Sequence, residues 1–382
     1  MFDNPFTRPE IEARLERVRA DIVKRKLDAA VFASPENVFY LTGLDHWGYF
    51  APHLLIVPVE GNPVLVTRAM ERVSVEKQVH AAAFRGHPDT ETAADMAARV
   101  LQDMRLAGKS LGLETWTSGM SSGLACSLKS QVPGAWTDVS GMVDGLRLVK
   151  SPEEQALMRR AARVTDTAAA AAIAAITDGA AETEVAAACL AAMTRAGGHP
   201  PGFGPFIRPG NRLGEEHATW GDGAYKRGEP VFLELSGCIS RYHAPLGRLI
   251  RIRTIRDQDA RMAEVAQRAF TAVVAALKPG RKAREIYGAW QAVVDDAGLA
   301  HYRRHHCGYC VGIGQPPSWT GGNSVTGLRA DSELEIRTGM SFHILSWLMN
   351  TGAGNDFISN TVLLTEDGAE VLTCTPVGPI VK

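Results

Sequence analysis

Two side chains in this chain could share one piece of chemistry. His217 lies in the polar run Gly214-Glu-Glu-His217-Ala-Thr-Trp220, and Glu234 follows in Pro230-Val-Phe-Leu-Glu234-Leu-Ser-Gly-Cys-Ile, whose apolar residues read as a strand. An imidazole exchanges protons near neutral pH, and a carboxylate among apolar neighbours is poised as a base or nucleophile. Taken alone, each has a plainer role open to it: a solvated loop histidine, and a strand glutamate paired with Arg241 or Arg248. Trp47, Trp220 and Trp319 could face a planar cation, a contact worth roughly 0.5–2 kcal/mol each, or could simply pack. The run His305-His306-Cys307-Gly-Tyr309-Cys310 has a metal-like Cys spacing, but no second Cys or His pair completes it, so no metal is expected there. Gly202-Phe-Gly204 and Gly312-Ile-Gly314 lack the full spacing of a phosphate loop, so no nucleotide cofactor is expected either.

The elements that must position these residues can be read from pattern. Residues 28–33, 54–58 and 63–67 read as short buried strands, with Glu60-Gly-Asn-Pro63 as a hairpin turn, and helices are expected over 8–25 and 90–105. This α/β domain ends near residue 148. Ser151-Pro-Glu-Glu154 then spells a helix start, with Ser as cap, Pro at the first helical position and Glu completing a capping box. Beyond it runs an internal repeat: Ile176-Thr-Asp-Gly179…Glu184…Gly197 matches Leu277-Lys-Pro-Gly280…Glu285…Gly298 in register. Each copy reads as a helix, a tight turn, a second helix and a Gly stop. Strand-like segments follow at 231–240 and 247–254, or at 340–348 and 357–364. Two copies make a pseudo-twofold α+β domain over 149–382, with helices on one face of a curved antiparallel sheet and a cleft on the other.

With 382 residues and 45% hydrophobic content, the chain is long enough for two ordinary globular cores. A net charge of −1, from 41 basic and 42 acidic residues without long blocks, gives no footprint for nucleic acid or an anionic membrane surface. No apolar stretch approaches the ~20 residues of a membrane span, and no secretory leader is legible, so a cytoplasmic protein is expected. Six cysteines are too sparse for a disulfide framework.

The motifs carry a resemblance. The stretch from Glu234 through Tyr242-His-Ala-Pro245-Leu-Gly-Arg248 resembles the first metal-ligand segment of the creatinase/methionine-aminopeptidase family, which implies a pita-bread catalytic domain behind a smaller creatinase-type N-terminal domain (residues 1–148). Glu234, Pro245, Tyr309, Leu345 and Ser359 fall where the family's metal enzymes carry Asp, Asp, His, Glu and Glu. Hard cations need several carboxylate or imidazole donors, so the resemblance points to the metal-free branch, with no metal or other cofactor. Creatinases would place substrate-binding glutamates at Gly247 and Leu345, which they lack here. Ectoine hydrolases match better, through Leu41-Thr-Gly43-Leu-Asp45-His-Trp47, Glu216-His-Ala-Thr-Trp220, Glu234 to Leu246, and Gly308-Tyr-Cys-Val-Gly…Pro316-Pro-Ser-Trp319. Departures from them are Thr320-Gly-Gly-Asn323, Asn360 and the tract Asn350 to Phe357.

The resemblance implies opening of an ectoine-type cyclic amidine to an N-acetyl-diaminobutyrate, with Glu234 as nucleophile and His217 as proton shuttle. Tyr242, His243, Tyr309, Trp220, Trp319, His343, Arg241, Trp47 and Asp45 are the implied contacts to a small zwitterionic substrate, with Arg241, Arg248 and Arg68 as candidate partners of its carboxylate. It also implies a homodimer, the N-terminal domain of one subunit closing its partner's cleft. The alternatives are a creatinase-like amidinohydrolase, a metallopeptidase with His243, His343 and Asp356 as unusual ligands, and a non-catalytic peptide-binding module.

Overall fold

The structure, a computed structural model, describes residues 3–321 and 325–382. The chain divides into two compact units between Arg147 and Leu148. The first contains α1 (Arg8–Lys24), β1 (Ala29–Phe32), α2 (Pro35–Thr42), β2 (Leu54–Pro58), β3 (Val64–Arg68), α3 (Arg72–Gln78), β4 (Ala83–His87), α4 (Ala93–Asp103), β5 (Ser110–Leu113), α5 (Ser122–Gln131), β6 (Ala135–Asp138) and α6 (Met142–Arg147). Its sheet runs β4-β3-β2-β1-β5-β6, with β2 antiparallel to both neighbours and the outer pairs parallel. The expected turn between β2 and β3 is there, with Gly61 at φ 90°, a conformation glycine adopts without steric cost. Helix α4 begins at Ala93 rather than 90 because Thr92 and Asp95 close a capping box around its first turn. Trp47, Phe50, Met70 and Val73 are exposed on this unit, at 61%, 80%, 67% and 77%.

The second unit holds α7 (Pro152–Ala175), α8 (Glu182–Arg195), β7 (Phe206–Pro209), β8 (Pro230–Ile239), β9 (Tyr242–Arg251), α9 (Asp257–Ala276), α10 (Ala283–Asp296), β10 (Gly308–Cys310), β11 (Ser341–Leu348), β12 (Asp356–Thr365), β13 (Gly368–Val371) and β14 (Ile380–Val381). The Ser151–Glu154 capping box forms as its residues dictate, and Glu154 also accepts a 2.7 Å bond from the Tyr242 hydroxyl, tying the helix start to the sheet. The repeat is real in three dimensions. Gly179 and Gly280 turn the chain between the paired helices at φ 81° and 82°, and Gly197 and Gly298 follow the ends of α8 and α10 at 82° and 80°. The sheet order β10-β11-β12-β9-β8-β7 is the same three-strand unit twice, with β12 and β9 meeting at the pseudo-twofold axis.

Strand β9 starts at Tyr242, not at 247. Ser240 and Arg241 both take positive φ (45° and 65°), so they make a two-residue hairpin turn that pairs Ile239 with Tyr242 at once. Period-two alternation then sorts the sheet into two faces. On one, Gly237 lies so close to α7 that an added Cβ would sit 2.6 Å from the Ala161 carbonyl oxygen, and Thr165 bonds to both Gly237 and Ala244 across the contact. In the second copy the same face carries Phe342, Ile344, Leu348, Ile358 and Val362 into one apolar core with Phe270, Ile286 and Trp290 of α9 and α10. Full burial of such side chains stabilises by roughly 1.5–3 kcal/mol each. The opposite face is left to the site. No helix among the described residues is long and apolar enough to cross a membrane.

Candidate active site

Strand register brings together residues far apart in sequence. Phe206, Glu234, Gly247, Ser359 and Leu345 lie side by side across β7, β8, β9, β12 and β11. Two residues further along, on the same face, come Pro245, Thr361, His343 and Tyr309, with the Thr361 hydroxyl donating to the Pro245 carbonyl at 2.8 Å. Two residues the other way come Arg208, Phe232, Phe357 and Trp347. The five positions matched to metal ligands thus do converge. What they offer is one carboxyl group, a pyrrolidine ring, a phenol, an isobutyl group and a hydroxyl. A two-metal centre does not fit this donor set, and among the described residues no three His, Cys, Asp or Glu side chains gather as a metal-ligand group.

Glu234 is nearly enclosed, and burial pushes its pKa up to about 8. Arg208 pulls it back down and Glu216 adds to the rise. Its Oε1 lies 3.9 Å from His343 Nε2. His343 sits in a hydrogen-bonded chain: Trp319 Nε1–H donates to Tyr309 Oη at 3.0 Å, and that hydroxyl lies 2.8 Å from His343 Nδ1. If the Tyr309 proton points at Nδ1, His343 Nε2 carries hydrogen toward Ser359 Oγ at 2.7 Å and toward Glu234. Burial lowers the His343 pKa well below its usual value, so the ring is a neutral donor. Tyr309 faces the cleft, as its position suggests, but its hydroxyl is engaged by Trp319 and His343 rather than left for a ligand.

Aromatic rings wall the carboxyl group. Phe203 and Phe206 meet Trp319 at centroid distances of 4.8 and 5.6 Å, and Phe232 stacks on Phe357 at 4.9 Å with Trp347 beside both. Phe357 also fills the space above Gly247, where an added Cβ would lie 2.2 Å from its ring. A creatinase-type counter-charge at 247 is therefore sterically excluded. The Gly202 and Gly314 pairs serve packing: an added Cβ on either would strike the Ser318 carbonyl oxygen.

His217 is exposed on the segment between β7 and β8, its ring 6.1 Å from that of Phe206, which pairs with Glu234. Among the described residues no hydrogen bond or ion pair is found for it. Trp220 packs near Gly204.

Several sequence expectations change here. Tyr242 is on the helix-facing side, bonded to Glu154, because residues 242 and 247 differ in strand parity. His243 is on the cleft face but buried, its Nδ1 on the Arg241 carbonyl and its Nε2 receiving the Gly202 N–H, so neither nitrogen is left for substrate or metal. Arg241 lies at the hairpin turn, and at about 3.3 Å per residue that is roughly 20 Å along the strand from Glu234. Arg248 points to the helix side, where Asn360 and the carbonyls of Gly247, Ser359, Thr375 and Pro376 surround it, so Asn360 anchors that guanidinium rather than lining the cleft. Asp356 alternates onto that side as well and pairs with Arg251 at 3.8 Å. Cys307 and Cys310 belong to the apolar core, and burial raises both thiol pKa values, that of Cys310 to about 11. Asp45, Trp47 and Arg68 are in the first unit. There the Asp45 backbone N–H donates to Gln78 Oε1 at 2.8 Å, and Arg68 forms a two-pronged pair with Asp89. Of the tract after Trp319, Gly322 and Asn323 lie outside the described residues.

Sequence reasoning missed Arg208 and Arg304. Arg208 is fully buried, its guanidinium carbon 3.9 Å above the Phe232 ring, and Arg304 stands 4.8 Å above Trp347 with its head on Glu216 at 3.4 Å. The available signal was a charge placed in the apolar run Phe206-Ile-Arg208-Pro209, where alternation puts it on the face of Phe206.

Comparison with known proteins agrees with this architecture. The profile of the creatinase/prolidase N-terminal domain matches residues 14–149, and that of metallopeptidase family M24 matches residues 156–366. Ectoine hydrolase from Halomonas elongata is 27% identical over 97% of each chain, and Xaa-Pro dipeptidase from Pyrococcus furiosus is 25% identical over 96% of this chain and 99% of its own. Among solved structures, Xaa-Pro dipeptidase from Bacillus anthracis superposes with a TM-score of 0.86 at 19% identity, over 97% of this chain and all of that one, a likeness of fold. The repeated helix pairs, the six-strand path and these matches show that the chain belongs to metallopeptidase family M24, a creatinase-type N-terminal domain being followed along the chain by a pita-bread unit.

Proposed function

We propose that the protein is a metal-independent hydrolase that opens a cyclic amidine of the ectoine type, with Glu234 as nucleophile and His217 as proton carrier. The observation that carries this reading is the lone carboxyl group of Glu234, walled by aromatic rings at the converging positions where Pro245, Tyr309, Leu345 and Ser359 provide no other acid. Similarity to ectoine hydrolase along nearly the whole chain supports the choice of substrate.

An amidinium carbon is already electrophilic, so attack needs no Lewis acid. The Glu234 carboxylate adds to that carbon, and the C=N electron pair moves onto nitrogen. The other ring C–N bond then breaks as His217 delivers a proton to the departing nitrogen, leaving an imidoyl ester on Glu234. Water adds to the same carbon, and collapse expels the Glu234 carboxylate. The net change is amidine plus water to amide plus amine. With hydrogen on Nε2, His343 lies 3.9 Å from Glu234 Oε1, and its N–H dipole favours the ionised carboxylate when the substrate cation arrives.

The test is proton NMR of chelator-treated protein incubated with ectoine, hydroxyectoine and creatine, alongside metal analysis. Ring opening of an ectoine at an undiminished rate is expected. Stoichiometric metal with activity lost to chelator would overturn the reading. Similarity to Xaa-Pro dipeptidases favours a peptidase as the second reading, which the same metal analysis discriminates. The homodimer remains part of the proposal: sedimentation at micromolar concentration should give twice the chain mass, and a monomer would remove it.

A further inference from the structure

A zwitterionic substrate brings a carboxylate, and Arg241, Arg248 and Arg68 are placed or engaged elsewhere. Arg248 is surrounded by acceptors on the helix side, Arg241 is at the far turn, and Arg68 is held by Asp89. Two other guanidinium groups lie on the cleft face. Arg208 sits above Phe232 and Arg304 above Trp347, and those two rings are 5.6 Å apart.

We propose that Arg208, assisted by Arg304, binds the carboxylate of a small zwitterionic substrate and thereby aims its electrophilic carbon at Glu234. This rests on the cleft being the reactive site. Arg208 is poorly satisfied for a fully buried cation. Its Nη1 reaches the Ala218 carbonyl at 3.2 Å, its Nη2 reaches that of Leu213 only at 3.5 Å, and its Nε has no partner among the described residues. The Nε of Arg304 is likewise without one, and its Nη1 bond to Glu216 is long at 3.4 Å. A buried guanidinium in this state is costly. Neutral carbonyls are weaker acceptors than a carboxylate, which bonds a guanidinium through two parallel, charge-assisted hydrogen bonds. An incoming carboxylate can therefore displace the 213–218 segment from Arg208. Arg208 and Glu234 are diagonal neighbours across β7 and β8, a spacing of roughly 7–8 Å, so one small molecule can touch both.

The test compares wild type, Arg208→Met, Arg208→Lys and Arg304→Met on ectoine and on the same methyl-tetrahydropyrimidine ring lacking the carboxylate. Wild type is expected to favour the carboxylate by roughly a hundredfold in kcat/KM, mostly through KM. Arg208→Met should cut that preference to about fivefold or less, and because Arg208 also lowers the Glu234 pKa, the rates are compared on the alkaline plateau of each variant's pH profile, where the carboxylate-free ring should stay within about threefold of wild type. Arg304→Met should fall between. An unchanged preference in the folded variants overturns the proposal, and so does an equal loss on both rings, which a merely structural arginine would produce. Should Arg208→Met fail to fold, Arg208→Lys and Arg304→Met answer through the same ratio. Calorimetric binding of ectoine, creatine and N-acetyl-diaminobutyrate against their carboxamides separates this proposal from ring opening. An Arg208-dependent preference for the carboxylates without any turnover would sink the reaction and keep the anion site. Ring opening with no such preference would do the reverse.

Discussion

Glu234→Gln is expected to lower kcat/KM for ring opening by at least about 10³-fold while the protein stays folded and becomes more stable at alkaline pH. The amide is nearly isosteric with the acid but cannot form the ester to the amidine carbon. In wild type, only the ionised carboxylate attacks, and burial holds the pKa at about 8. The pH profile of kcat/KM should therefore climb about tenfold per unit below that value and level off above it. Stability moves the opposite way. Between the ordinary value of 4.5 and about 8, the unfolded chain has released this proton and the folded protein still binds it, so stability falls as pH rises through that window. The glutamine variant escapes the loss. Its advantage should grow from zero near pH 4.5 to about 2–5 kcal/mol above pH 8. Thermal melts of both proteins across that range check it. A pH-independent difference would mean that the carboxyl is not held protonated, and near-wild-type turnover in the glutamine variant would remove Glu234 from the chemistry.

The second large effect is at His217. Its exposed side chain supports no core packing, so His217→Ala should leave the melting temperature within about 2 °C of wild type. The rate should nonetheless fall by roughly 10²–10⁴-fold, chiefly in kcat, because the departing nitrogen loses its proton donor. Added imidazole should restore part of the activity. Unaltered kcat in this variant would take His217 out of the mechanism. His343 offers the instructive contrast: it is buried, neutral and bonded on both ring nitrogens, so its replacement should disturb folding as well as rate.

Much of this architecture is legible in the sequence. The in-register glycines at 179, 197, 280 and 298 take nearly the same positive φ, two in the turns between paired helices and two just past the ends of α8 and α10, and the Ser151 capping box begins α7 as its four residues dictate. Such features are local, governed by backbone sterics and by side chains within one helical turn. The hairpin at Ser240 and Arg241 was not legible, since neither residue advertises a positive φ, and the start of β9 was misplaced as a result.

By itself the sequence determined the donor chemistry: which family the motifs match, and that Pro245, Tyr309, Leu345 and Ser359 stand where metal ligands would be needed. Residue type is enough for that conclusion, because proline and leucine bind no cation in any rotamer. Only the tertiary structure decided which side chains reach the cleft. In a strand, neighbouring residues point to opposite faces, and a shift of one position reverses them all. Pairing of β7 with β8 and of β9 with β12 turned Tyr242, Arg248 and Asn360 toward the helices, and it put Phe357 over Gly247 and Arg208 diagonal to Glu234. Those pairings join segments distant in the chain, and no local pattern encodes them.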